Sequence, residues 1–357
     1  MRAASWLLLC SVMALTGCGV APVIPPVLDS FTSVTPSATG TPNSVTVFGN
    51  YEYVSVQHTG QIFIYNFSNG SQVQTGPPYT TPCNSPSGMA VVQEGSNNIM
   101  AVACYDTDSV LTLNIVANGS LSPLGSVTVP GVPYPEIASD GTNVIVPLFT
   151  MNGSTNGGVV KLNVSNPSVP AIAGIVALAS PFPGAVADTT ALAVAGGYIY
   201  VASGSETLPL TASSSVQVVN ESTMQLVGSP LVVPHSPQQI VVSGGVAYVT
   251  IFDAAGLESI SVSNPASLSM VGLVYPAMPS GCSALALAVR ETAAYTGCYG
   301  QGTVDRINVS VPAAMTEINY ISGLGSPQAM AFSGSYLFVV SGVAGGSVYQ
   351  VYVGPSN

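Results

Sequence analysis

The sequence predicts an all-β fold, a seven-bladed β-propeller closed by an N-terminal strand. Three observations predict it. A strand, Gly turn, strand unit recurs about every 45 residues, and four strands per such repeat is the signature of a propeller blade. Of the 357 residues, 47% are hydrophobic and 5% charged, with 37 Gly and 28 Pro. Abundant β-branched residues punctuated by turn formers favour strands over helices. Finally, no apolar run after the first 17 residues approaches the ~20 that a spanning helix needs, and the high apolar content is incompatible with disorder.

The repeat is clearest at Pro237-Gln238-Gln239-Ile240-Val241-Val242-Ser243-Gly244-Gly245-Val246-Ala247-Tyr248-Val249, which reads as a β-hairpin with a Gly turn. Pro327 to Val339 repeats it almost position for position, and Pro42 to Val54 does so with Gly49-Asn50 at the turn. Weaker copies start near Pro86, Pro133, Thr189 and Ala284, so the seven starts are 42, 86, 133, 189, 237, 284 and 327. Each hairpin is followed by a third strand such as Gly60 to Tyr65 or Gly302 to Ile307, and usually by a fourth such as Met224 to Val227. The last copy ends at Val353 after three strands, and Val27 to Val34 has the strand character to fill the gap. The propeller is therefore assigned to residues 27–353, with 354–357 as a tail. An eight-bladed ring, a pair of β-sandwiches and a β-helix are the competing architectures.

The first residues carry an address. Met1-Arg2 is a short positive segment, and Ala3 to Leu15 is an apolar core of 13 residues, the length of a secretory signal rather than a membrane span. It ends in Leu15-Thr16-Gly17-Cys18, which resembles the bacterial lipobox. That resemblance implies a signal peptide over residues 1–17, lipidation of Cys18 including palmitate, and a tether over 18–26. Gly19 in place of Asp implies the outer membrane in a Gram-negative envelope. Several acyl chains hold a protein stably, at about 0.8 kcal/mol per buried methylene. The cleaved chain keeps only Lys161, Arg290 and Arg306 against fifteen acids, a net charge of −12. With no basic cluster, nucleic acid is excluded as a partner.

The repeats of residues 42–353 resemble those of the YVTN/lactonase-like propellers of bacterial surface proteins. The residues that carry the resemblance are Ala247-Tyr248-Val249-Thr250, Ile199-Tyr200-Val201-Ala202-Ser203, and Tyr53-Val54-Ser55 with Gly60 behind it. The likeness implies architecture and says little about function.

Four cysteines remain after Cys10 and Cys18. Cys104 and Cys298 fall at one repeat position, three residues past the Tyr248 equivalent, while Cys83 and Cys282 each precede a first strand. In an antiparallel hairpin those two positions are neighbours, which predicts disulfides Cys83–Cys104 and Cys282–Cys298. Export favours the same outcome, and zinc pairs are usually spaced more closely.

In a propeller, the loops entering first strands and those joining second to third strands share one face. Six of the fifteen acids map there, Asp106, Asp108, Glu136, Asp188, Glu206 and Asp253, together with both histidines, His58 and His235, and with Tyr105 and Tyr299. Loops carry binding groups more often than scaffold strands do, although acids also favour loops because loops are wet. Aligning Ser139 with Ser243 puts Glu136 on a first strand near the axis. It reads there as a desolvated acid–base group or metal ligand, unless Pro135 slips the register and turns it to water. No nucleophile, phosphate-cradling or haem motif is present. The expected function is a non-catalytic binding or assembly module for proteins or glycans, monomeric and without a cofactor, whose Tyr105, Tyr134 and Tyr299 offer stacking surfaces. The alternative is a lactonase-like hydrolase holding Ca²⁺ or another divalent ion with its axial acids.

Overall fold

The computed structural model describes residues 30–36, 39–94, 97–204, 214–276 and 282–355, so Cys18 and the tether lie outside the described residues. Seven antiparallel sheets follow one another along the chain as blades 1 to 7. Each is a meander whose strands A to D run from the axis outwards. Strand A begins at Thr41, Pro86, Gly131, Asp188, Pro237, Ser283 and Pro327 in blades 1 to 7. Two blades are irregular. Strand D of blade 1 is reduced to Val73–Gln74 and Tyr79–Thr80, and strand A of blade 3 is split into Gly131–Pro133 and Ala138–Ser139.

Blade 7 supplies its own strands Pro327–Ser333, Tyr336–Ser341 and Val348–Tyr352. Its outermost strand is Phe31–Val34, antiparallel to Val348–Tyr352 with Phe31 opposite Val351 and Val34 opposite Val348. The N-terminal segment thus closes the ring by pairing with the end of the chain. Phe31 also sets its ring edge-on against Tyr349 at 5.3 Å.

The core lies in the seams between blades. Strands alternate faces, so Tyr53 and Ile62 of blade 1 pack against Met100, Val102 and Leu111 of blade 2, while Val54 and Phe63 face Phe338 and Val340 of blade 7. The repeated tyrosine also bonds forward. Tyr53 donates its hydroxyl to Gly119 O of blade 2 at 2.9 Å, and Tyr248 donates to Val309 O of blade 6 at 3.4 Å. The outer rim has a second fastener. Thr112 of blade 2 donates to Pro167 O of blade 3, and Ser259 of blade 5 donates to Pro312 O of blade 6. At both places the outer strand carries a glycine, Gly125 or Gly272, whose absent Cβ makes room for the next blade's Pro-containing loop.

Two disulfides, Cys83–Cys104 and Cys282–Cys298, tie the entry of strand A to the end of strand B within blades 2 and 6, with Cα separations of 6.0 and 5.3 Å. Loops of this length stabilise by roughly 3 kcal/mol in the chain-entropy description.

Three acids sit in the seams with almost no exposure: Glu52, Glu258 and Asp305. Burial raises the Glu52 carboxyl to about 8, although Gln72 donates to it at 2.7 Å. Burial raises Glu258 to about 7, with Asp253 adding to the effect, and raises Asp305 to about 7, with Glu317 adding. Between the ordinary carboxylate range and about pH 8 the folded chain therefore binds more protons than the unfolded chain. Unfolding free energy falls as pH rises through that window, with a slope of up to roughly 1.4 kcal/mol per pH unit for each acid.

Thermal melts should accordingly give a higher Tm at pH 5 than at pH 8, and Glu52→Gln should flatten the slope; a Tm that climbs from pH 5 to pH 8 contradicts the burial. Removing residues up to Val34 exposes the edge of blade 7 and should lower Tm by on the order of 10 °C, since each kcal/mol is worth about 2–4 °C at such sizes. An unchanged melt would show that the strand closes nothing.

Candidate functional site

The feature that builds the axial mouth is a β-bulge at the start of strand A. In blade 1 the register passes from Pro42↔Val56 to Ser44↔Ser55, leaving Asn43 unpaired. Thr190 in blade 4, Leu285 in blade 6 and Gln328 in blade 7 are skipped in the same way, and blade 5 skips Gln238 and Gln239. A bulged residue leaves the ladder and its side chain is re-aimed. Here the bulged residues meet around the axis. Together with Tyr134, Pro135 and Glu136 of blade 3 they line a cavity of about 100 Å³.

Glu136 belongs to this ring because strand A of blade 3 is interrupted around it. Pro135 breaks the ladder between Pro133↔Leu148 and Ala138↔Ile145. Gly88 of blade 2 lies against the Pro135 carbonyl so closely that a Cβ there would collide with it. The interruption does not send Glu136 into bulk water. Its Oε1 accepts a hydrogen bond from Gln239 Nε2 at 2.7 Å, from across the mouth. Burial raises its carboxyl to about 7 despite that bond.

The amides continue the network. Gln239 Oε1 accepts from Leu287 N at 2.6 Å, and its Nε2 also reaches Gln328 O at 3.5 Å. Gln328 Nε2 donates to Asn43 Oδ1. Blades 3, 5, 6, 7 and 1 are thus linked across the axis by one acid and three amides. The backbone beneath is held by hydroxyls: Thr250 accepts from Gln239 N at 3.0 Å, and Thr190 donates to Pro237 O at 2.9 Å.

The other sequence candidates are dispersed. Asp106 accepts from Asn84 N and Ser85 N at 3.0 and 3.2 Å, and its repeat equivalent Asp253 accepts from Ser236 N at 3.0 Å. Both acids fasten the loop that enters their own blade. His58 and Asp108 occupy B–C turns at φ 67° and 47°, a left-handed conformation that His and Asp tolerate better than most residues. Asp188 opens strand A of blade 4 opposite Gly204. Tyr105 is exposed and Tyr299 is half-buried opposite Ser283. Glu206 lies outside the described residues.

One pair does come together. His235 Nδ1 stands 3.5 Å from Asp253 Oδ2, and its Nε2 is 3.0 Å from the Tyr275 hydroxyl. These three groups belong to the loops of blade 5, and none of them lines the axial cavity. Burial raises the Tyr275 phenol, and Glu258 and Asp253 add to it, so the group is a hydrogen-bonding hydroxyl rather than a phenolate. No group of three or more His, Cys, Asp or Glu positioned for a metal ion occurs among the described residues.

Asn43, Thr190, Gln239 and Gln328 are not among the sequence candidates. A signal for three of them exists: a polar residue one or two positions after the proline at the start of strand A, as in Pro42-Asn43, Pro237-Gln238-Gln239 and Pro327-Gln328.

The model of the LVIVD repeat matches residues 39–72, 187–210 and 236–275, parts of blades 1, 4 and 5. No curated protein sequence matches the chain significantly. Solved structures that share the fold include the periplasmic gluconolactonase of Pseudomonas aeruginosa, with TM-score 0.64, 16% identity, and coverage of 89% of this chain and 98% of that one. The Cps50 (Swd1) β-propeller domain of Myceliophteria thermophila aligns with TM-score 0.67 at 10% identity over 90% and 99%. Virginiamycin B lyase of Staphylococcus aureus gives 0.64 at 11% over 90% and 99%. An enzyme acting on a lactone, a propeller domain and a lyase all share this scaffold, which carries no function by itself.

Gln239→Ala tests the network. It removes the partner of Glu136 and leaves the buried Leu287 N–H unpaired, at about 1–3 kcal/mol per orphaned group. Chemical denaturation should show a loss of roughly 2–4 kcal/mol, against less than about 0.5 for Gln238→Ala beside it. Equal effects would mean that Gln239 does not hold the mouth.

Proposed function

We propose that this chain is a lipoprotein of the bacterial cell envelope, anchored through Cys18, whose propeller is a non-catalytic binding or assembly module for proteins or glycans. The observation that carries the reading is the make-up of the axial mouth. Its polar side chains are the amides of Asn43, Gln238, Gln239 and Gln328 and the hydroxyls of Thr190 and Tyr134 around one acid, with Glu136, Gln239, Gln328 and Asn43 hydrogen-bonded in series. Such a lining recognises neutral hydrogen-bonding ligands and is preorganised to do so. Tyr105, exposed on the loop face, offers an aromatic surface to the same class of partner.

The runner-up is a metal-dependent lactonase-like hydrolase. The fold shared with a gluconolactonase and the raised Glu136 carboxyl favour it. It needs several oxygen ligands converging on one ion. Asp106 and Asp253, the acids offered for that role from blades 2 and 5, instead accept backbone amides of their own loops.

Elemental mass spectrometry on the chain lacking Cys18, with a chelator melt beside it, separates the two. The binding module predicts no stoichiometric divalent ion and a melt indifferent to chelator. A bound ion lost to chelator together with a fall in Tm would overturn it in favour of the hydrolase.

A further inference from the structure

Resting on the anchor at Cys18 in the reading above, we infer that the edge formed by blades 7 and 1 is the surface that lies against the lipid bilayer. Phe31, Tyr352 and Val73 then sit at the water–lipid boundary, and the axial mouth is left open to water. Three observations carry it: where the chain joins the propeller, where charge is missing, and which side chains stand exposed there.

The chain joins blade 7 at the end remote from the mouth. Strand A of that blade starts at the mouth, where Gln328 lines the cavity, and in the meander strand C runs the same way, from Val348 to Tyr352. Phe31 lies opposite Val351 and Val34 opposite Val348, so the outermost strand is entered at its remote end and runs towards the mouth. Phe31 follows Cys18 by thirteen residues. At ~3.6 Å per residue that segment reaches less than about 50 Å. An anchor at Cys18 therefore keeps this edge within that distance of the bilayer.

Charge is missing from the same sector. No Asp, Glu, Lys or Arg occurs from Ile318 to Asn357. From Ser30 to Gln93 the one such residue is Glu52, which is 0% exposed. Asp29 lies outside the described residues. The remaining charge of the propeller falls between Glu94 and Glu317, in blades 2 to 6, and is mostly acidic. An anionic lipid surface repels carboxylates within about a Debye length, ~10 Å, and a charge pressed against lipid must shed its water. Blades 7 and 1 meet neither obstacle.

The exposed side chains suit a lipid boundary. Phe31 is 39% exposed, Tyr352 42%, and Val73, on the outer strand of blade 1, 61%. Val73 lies opposite Asn66 at the end of strand C in blade 1, as Phe31 lies near the end of strand C in blade 7, so both stand at the remote end. Tyr352 meets Tyr336 edge-on at 5.8 Å, and the Tyr336 hydroxyl stands over Gly70 in the loop leading to Val73, 3.5 Å from where a Cβ would be. The three groups thus belong to one edge. Aromatic side chains with an apolar body and a polar tip concentrate at membrane–water interfaces. Outer strands elsewhere also expose apolar groups, such as Ile172 in blade 3 and Leu273 in blade 5, but their blades carry acids.

The test uses the full chain, processed and acylated, in vesicles of phosphatidylcholine and phosphatidylglycerol with brominated or ordinary acyl chains. Its one tryptophan, Trp6, leaves with residues 1–17, so a single introduced tryptophan reports one place. Phe31→Trp, Val73→Trp and Tyr352→Trp should each be quenched roughly twofold by brominated lipid, as for side chains ~5–10 Å into the boundary. Tyr105→Trp on the mouth face and Ile172→Trp on blade 3 should keep their emission. Melts of each variant check that the ring is closed. Equal quenching at every place, quenching at Tyr105→Trp or Ile172→Trp in place of the others, or none anywhere would overturn the inference. So would a dimer of the chain lacking Cys18 that Tyr352→Ser dissociates, because the edge then belongs to a second copy. A mature chain whose mass shows no acyl group on Cys18 removes the anchor reading and this inference together; acylated protein quenched indiscriminately removes this inference alone.

Discussion

The structure depends on one recurring constraint, the β-bulge at the point where strand A enters its blade. An inner strand of a propeller must carry apolar side chains on both faces, because both face a neighbouring blade. A strict two-residue alternation offers no third direction for a polar side chain. The bulge supplies it: one or two residues leave the ladder, and Asn43, Thr190, Gln239, Leu285 and Gln328 are turned to the axis without disturbing the seams behind them. Proline stands first or second in strand A of blades 1, 2, 5 and 7, where its missing N–H costs little at the strand start.

The seams and the axis are therefore separate structures with separate chemistry. In the seams, apolar burial is supplemented by forward-reaching hydroxyls of Tyr53 and Tyr248, and on the rim by Thr112 and Ser259 bonding to proline carbonyls. With few charged groups in the chain, these neutral hydrogen bonds take the place of ion pairs. Lys161 adds an ion pair to Asp140 and Glu221, joining blades 3 and 4. At the axis, a single acid among amides makes a mouth whose charge state changes near neutrality.

The fold is largely legible in the sequence because its signals are local. Gly turns between alternating runs mark the hairpins, and the count of strands leaves blade 7 one short, which Phe31–Val34 fills. Superposing the hairpins puts Cys83 beside Cys104 and Cys282 beside Cys298, a relation that needs only register. The site is less legible, for a physical reason. A bulge shifts the side-chain direction by one residue and leaves composition unchanged, so an alignment made at Ser139 and Ser243 gives Glu136 its level but not its direction. It places Glu136 with Ile240, which is core, whereas the residue facing Glu136 across the mouth is Gln239. Nor does sequence distinguish an acid that lines a site from one that fastens a loop, and Asp106 and Asp253 do the latter.

The broken inner strand of blade 3 holds Glu136 over the axis, half-buried in the mouth and bonded to Gln239, and on this the reading of the mouth rests. Its most direct test is a titration of the Glu136 carboxyl by ¹³C NMR, assigned through the signal lost in Glu136→Gln. The expected midpoint is near 7, moved upward again in Gln239→Ala, where burial remains and the hydrogen bond is gone. A midpoint in the ordinary glutamate range, unmoved by the loss of Gln239, would place the carboxyl in water and contradict it.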